Sequence, residues 1–162
     1  MSYSLPYPAV VAQHGDANCW AAALESWMKA VGSQDPKTQD QLVREFSGTG
    51  FSVEDFKNKA ILWRMDYRIV DGARFPGASE IEHTIKLLGY LFIAFKWEDN
   101  STPWWHCNVL FGVQTPKREK PFYLVMDPAN GGKLGSRLQD SFFSGGNRLF
   151  IGWQHKDNVR RG

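Results

Sequence analysis

In the first half of the chain apolar side chains recur every three to four positions, and after Gly89 they alternate or run together in short stretches. The first pattern is that of amphipathic helices and the second that of strands. Residues 19–31 put Trp20, Leu24, Trp27, Met28 and Val31 on one helical face, with Gly32 as a natural C-cap. Residues 38–46 make a second amphipathic helix, stopped by Ser47-Gly48-Thr49-Gly50. Ser52 caps a third, with Glu54 and Asp55 in its first turn and the segment running toward Trp63. Ser79-Glu80-Ile81-Glu82 reads as a capping box that opens a fourth helix, ended by Gly89. Residues 90–97 are apolar nearly throughout, as in a central strand covered on both faces. A turn at 98–103 leads to a second strand at 104–113; a third follows at 121–126, closed by Asp127-Pro128, and a fourth at 148–153. Helices first and strands afterwards predict an α+β domain with an antiparallel sheet. With no internal repeat, linker or low-complexity segment, residues 1–162 read as one domain.

The second strand has two unlike faces, because successive side chains point to opposite sides. Trp105, Cys107, Val109, Phe111 and Val113 form an apolar row expected in the core. Trp104, His106, Asn108, Leu110 and Gly112 lie on the other side, pointing away from the main core. His106 is therefore an imidazole mounted on a strand between large aromatics that exclude water. Cys107 reads as a small core residue, and neighbouring strand positions cannot themselves form a dyad.

Composition narrows the function. At 162 residues the chain is long enough to bury about 70% of its unfolded surface. A hydrophobic fraction of 43%, with 7 Trp, 5 Tyr and 11 Phe, calls for a packed core rather than disorder. Net charge is +2 and the longest basic run is Lys117-Arg118-Glu119-Lys120, so nucleic acid is not an expected partner. Two cysteines are too few for a disulfide framework, and neither a Cys-x-x-Cys pair nor a His-Glu-x-x-His zinc pattern occurs, so no metal or cofactor is expected. The first residues lack a basic segment followed by an apolar one, and no stretch approaches 18 apolar residues. Neither a Sec-type signal nor a membrane span is expected, which makes the product cytoplasmic where it is synthesised.

The chemistry concentrates near the N-terminus. Cys19 opens the first helix, where unpaired N–H groups and the positive end of the dipole favour an anion. Such a position lowers a thiol pKa, and the thiolate is the nucleophile. Gln13, six residues upstream, can direct its side-chain NH2 at the oxyanion that forms when the thiolate attacks a carbonyl, beside the backbone N–H of Cys19. His106 is the candidate base, taking the thiol proton and later returning it to the leaving group. His14 is its main rival but lies in a Gly/Asp/Asn loop, His83 falls within a helix, and His155 sits in a polar tail. Asp127, at the end of the strand after that of His106, can orient the imidazole. Asn130 is a competitor, as is Asn108 on the cleft face.

Gln13-His14-Gly15-Asp16-Ala17-Asn18-Cys19-Trp20 resembles the papain-like cysteine peptidases in the glutamine, the six-residue spacing and the Cys-Trp pair. The Cys-Gly-Ser-Cys-Trp signature of the plant and lysosomal branch is absent, and the interval from Cys19 to His106 is shorter than in that branch. Cys-Trp-Ala-Ala is similar to the compact bacterial members, including effector proteases. The resemblance implies a papain-like fold, with the nucleophile helix packed on the sheet and the site in the cleft between them. It also implies a third residue, Asn or Asp, after the histidine, and the order Cys19, His106, Asp127 fits this. A cysteine protease acting on protein or peptide substrates follows as the leading expectation. A role as a secreted effector or toxin, export by a specialised system, and restraint by an inhibitory or immunity partner rest on the resemblance alone. The alternatives are a deamidase or transglutaminase-like acyl transferase, an NlpC-type cell-wall amidase, for which Gln13 is not required, and a non-catalytic binding module on the same scaffold.

Overall fold

The protein is described by a computed structural model covering residues 2–15, 18–46, 52–71, 77–96, 105–139 and 148–156. The predicted loop 47–50, the turn 98–103, Trp97 and Trp104 lie outside these residues. Strand β1 is Ser2–Ser4, followed by helices α1 (Cys19–Val31), α2 (Gln39–Phe46) and α3 (Val53–Lys59) and a 3₁₀ turn, Ala60–Trp63. Strand β2 (Met65–Asp71) precedes helix α4 (Ala78–Leu88). The rest is strand: β3 (Leu91–Lys96), β4 (Trp105–Gln114), β5 (Phe122–Asp127), β6 (Lys133–Leu138) and β7 (Arg148–Gln154). The sheet is antiparallel, in the order β2-β7-β3-β4-β5-β6, with β1 pairing on β4 beyond the end of β3.

Helix ends follow local chemistry. Gly32 closes α1 in a left-handed conformation, with Ser33 N–H returning to Met28 C=O. Ser52 and Asp55 form a reciprocal capping box on α3. The capping box read at Ser79 is not formed. Helix α4 starts two residues earlier, behind Gly77, with no side-chain cap, although Gly89 ends it as predicted.

Both faces of the sheet are covered, which corrects the expectation that one side of β4 points away from the core. On one face α1, α2, α3 and the 3₁₀ turn enclose Trp20, Leu24, Trp27, Phe56 and Trp63 against Phe92, Cys107, Val109, Met126 and Phe150. On the other, Ile81 and Ile85 of α4 pack on Leu91, Ile93, Phe95, Leu110, Val113 and Val125. Trp20 stacks on Trp63 at 6.5 Å, and Trp27 satisfies its buried indole N–H on Tyr90 C=O at 3.1 Å. A shift in the β4–β5 register between Leu110 and Gly112 breaks the strict alternation, so Val113 joins the α4 face rather than that of Cys107 and Val109.

Three strands had no signal in the hydrophobic pattern. Strand β1 is only Ser-Tyr-Ser, while β2 and β6 are the sheet's edges and bury few of their side chains. An edge strand is held by its ladder and one neighbour, so its sequence need not carry an apolar row.

Candidate active site

Cys19 is the first residue of α1 and is buried, only 4% exposed. Its helix is fixed by a continuous buried run from Trp20 to Leu24, and the first turn carries no acidic side chain. The helix dipole therefore acts on the thiol without a competing carboxylate. Across from it, β4 carries His106 and Cys107, and both touch the Cys19 thiol. Neighbouring strand residues point to opposite faces, yet Cys19 stands at the start of α1 beside the first residues of β4, within reach of both.

His106 is buried and bonds through Nε2 to Asp127 Oδ1 at 2.8 Å. With Nε2 engaged, Nδ1 is the ring nitrogen left to face the thiol. Asp127 ends β5, the neighbour of β4, and is held by more than the histidine. Its Oδ1 also accepts from Ala129 N–H at 3.0 Å, and its Oδ2 accepts from Arg137 Nη2 at 2.7 Å. Arg137, on β6, reaches Asn108 Oδ1 through Nε at 2.7 Å and lies over the Phe95 ring at 5.2 Å. Phe95 meets the imidazole edge to face at 5.4 Å. The ring is thus set on one side by a carboxylate and on another by an aromatic wall.

The electrostatics follow from these contacts. A hydrogen bond from the Cys107 thiol is the largest influence on Cys19; burial opposes it, and the bond and charge of His106 add to it, bringing Cys19 down to about 5. Burial disfavours the charged imidazole, but the bonds to Asp127 and Cys19 outweigh it and raise the His106 pKa above its ordinary value. Burial opposes ionisation of Asp127 too, but the bond and charge of His106, helped by Ala129 and Arg137, hold it down at about 2. Full burial pushes the Cys107 thiol well up, so it stays protonated and acts as a donor. The lowered Cys19 pKa favours the thiolate, the raised His106 pKa favours the imidazolium, and Asp127 is held as the carboxylate.

Gln13 approaches from the N-terminal segment. Its backbone N–H donates to Pro128 C=O at 3.0 Å, which ties its loop to the turn after Asp127. Its Nε2 donates to Gly15 C=O at 3.0 Å. Asn18 Nδ2 donates to His14 C=O, closing the same loop ahead of Cys19.

Of the rival residues, Asn108 donates to Cys107 C=O and accepts from Arg137, and the others lie elsewhere. Asn130 is exposed in a left-handed turn at φ 54°. His14 is exposed and pairs at the surface with Asp40 of α2 at 3.0 Å. His83 is exposed on α4, and His155 pairs with Asp66. Arg137 and the donor role of Cys107 were not legible in the sequence. Arg137 falls in an edge strand without an apolar row, and the reach of Cys107 depends on where α1 begins.

Among the described residues no group of three or more His, Cys, Asp or Glu is placed to hold a metal, and no helix is long and apolar enough to cross a membrane. No family model and no curated protein sequence matches the chain. Solved structures do. The chain is similar to the peptidase domain of Streptococcus ComA, a bi-functional ABC transporter, at 18% identity and TM-score 0.63, covering 91% of this chain and 99% of that one. It is similar to a double glycine motif protease from an AMS/PCAT transporter, solved with a leader peptide, at 16% identity and TM-score 0.57, covering 91% and 92%. A structure reported for the mite allergens Blo t 1 and Der p 1 aligns at 14% identity and TM-score 0.50, over 90% of this chain and 67% of that one. These neighbours are papain-like cysteine peptidase domains, and the chain has their fold, helices packed on an antiparallel sheet.

Proposed function

We propose that this chain is a single-domain cysteine protease that hydrolyses peptide bonds. Cys19 is the nucleophile, His106 the general base and acid, Asp127 the residue that orients the imidazole, and Gln13 an oxyanion donor. The observation that carries this reading is His106 bonded to Asp127 at 2.8 Å while also touching a Cys19 thiol held at about 5. The thiolate attacks the scissile carbonyl carbon, and the oxyanion that forms takes donors from the Gln13 amide and the Cys19 backbone N–H. An amide NH2 carries two hydrogens, so Gln13 can donate to Gly15 and to the oxyanion at once. As the tetrahedral species collapses, His106 gives its proton to the leaving amine. It then removes one from the water that hydrolyses the thioester. The two transporter-linked neighbours, one solved with a leader peptide, support a peptide as the substrate class. An effector or toxin role is a further part of this reading and rests on the likeness of the Cys19 segment to bacterial effector proteases.

The test is a proteome-derived peptide library, supplemented with double-glycine leader peptides, incubated with wild type and Cys19→Ala and read by mass spectrometry. New termini are expected with wild type only. Altered muropeptides from purified cell wall without new peptide termini would transfer the reading to an amidase. No change in either would favour a binding module.

A further inference from the structure

Gln39, the first residue of α2, is a glutamine only 3% exposed, at a helix end where a short polar residue or a solvated one is usual. Both ends of its side-chain amide are used on one short stretch of chain. Oε1 accepts from His14 N–H at 2.9 Å, and Nε2 donates to Ala12 C=O at 2.6 Å. The two bonds straddle Gln13. They give the backbone there the donor and acceptor that a neighbouring strand would otherwise provide. Gln39 is itself anchored, because its backbone N–H donates to Glu25 Oε1 at 2.8 Å, and Glu25 lies on α1, the helix that Cys19 opens. Glu25 Oε2 is taken by Lys29 at 3.1 Å. From the other side, Gln13 N–H is held by Pro128 C=O, next to Asp127, and Gly132 packs against Ala12 so closely that a Cβ would meet its backbone at 3.0 Å.

We infer that Gln39 is a positioning residue that clamps the backbone on both sides of Gln13 and so fixes where the Gln13 amide points. The inference rests on the reading of Gln13 as an oxyanion donor. Only a primary amide fits the role. A glutamate would keep the acceptor for His14 N–H but set a carboxylate against the Ala12 carbonyl, close to Glu25. A methionine of similar length would lose both bonds.

The clamp has two independent readouts, taken on Gln39→Met and Gln39→Glu after circular dichroism shows each to be folded. The first needs no substrate: amide hydrogen exchange at His14, measured by NMR, is expected to speed up at least tenfold in Gln39→Met. Unchanged exchange overturns the clamp whatever the activity. The second is a double-mutant cycle on peptide hydrolysis. Gln13→Ala should lower kcat by about 10²–10³, and Gln39→Met by roughly 10–10² with a smaller change in KM. Placing Gln39→Met in the Gln13→Ala background should cost less than about twofold more, because the two act as a unit. Alkylation of Cys19 by iodoacetamide, which builds no oxyanion, should be unchanged in Gln39→Met. Additive losses in the cycle, or alkylation falling in parallel with turnover, would overturn the clamp while leaving Gln13 in place. Wild-type turnover by Gln13→Ala would instead remove the oxyanion reading, and the clamp's role with it.

Discussion

Asp127 is the most heavily held side chain of the site, accepting from His106, Ala129 and Arg137 at 2.7–3.0 Å. Asn130, its rival in the sequence, is exposed in the following turn. Asp127→Ala is therefore expected to lower kcat by roughly 10², and Asn130→Ala to leave it near wild type. The pH dependence should move with it. Loss of the carboxylate lowers the His106 pKa, which deprives the Cys19 thiolate of its cation, so the thiol should titrate at higher pH. The reverse ranking of the two variants would transfer the role to Asn130. Because folding holds Asp127 at about 2, its contribution to stability is present above the ordinary carboxylate range near 4 and is lost as pH falls from there toward 2. Asp127 was legible because a carboxylate closes a strand beside the histidine's strand. Arg137 was not, because nothing local marks an arginine on an exposed edge as the partner of a residue ten positions earlier.

The elements that hold this site were legible in proportion to how much apolar surface they bury. Helix α1 and strands β3, β4 and β7 carry long buried runs, and the pattern located them within a few residues. The register shift in β4 was not visible, because a bulge is set by the partner strands as much as by its own sequence. Gly112 marks the shift. A Cβ there would meet Ser4 Cβ at 2.8 Å, Leu124 Cδ1 at 2.9 Å and Tyr3 O at 3.0 Å, so β1 can pair on β4 only against a glycine. Gly112→Ala should destabilise the fold by about 1–3 kcal/mol through overpacking, read as a lower denaturation midpoint. Hydrogen exchange at the β1–β4 ladder should rise more than in α1. An unchanged midpoint would mean that β1 yields without cost.

The sheet is buried on both faces, and its two cores divide the work. One seats the helix that begins with Cys19, and the other holds Phe95 against the imidazole. Cys19 meets His106 and Cys107 at the start of β4. The two cysteines consequently have opposite electrostatics, one held at about 5 and one pushed well above the ordinary range. The order of helices and strands made the α+β architecture legible, and the Gln13–Cys19 spacing marked Cys19 as the candidate nucleophile. The long-range contact between Cys107 and Cys19 could be known only from the folded chain. The most direct measurement is the rate of iodoacetamide alkylation against pH, with each cysteine mapped by mass spectrometry. Cys19 should react alone, with a midpoint near pH 5 and a plateau above it. Reaction at Cys107 first, or a Cys19 midpoint near the ordinary thiol value of about 8.5, would contradict the thiolate–imidazolium pair.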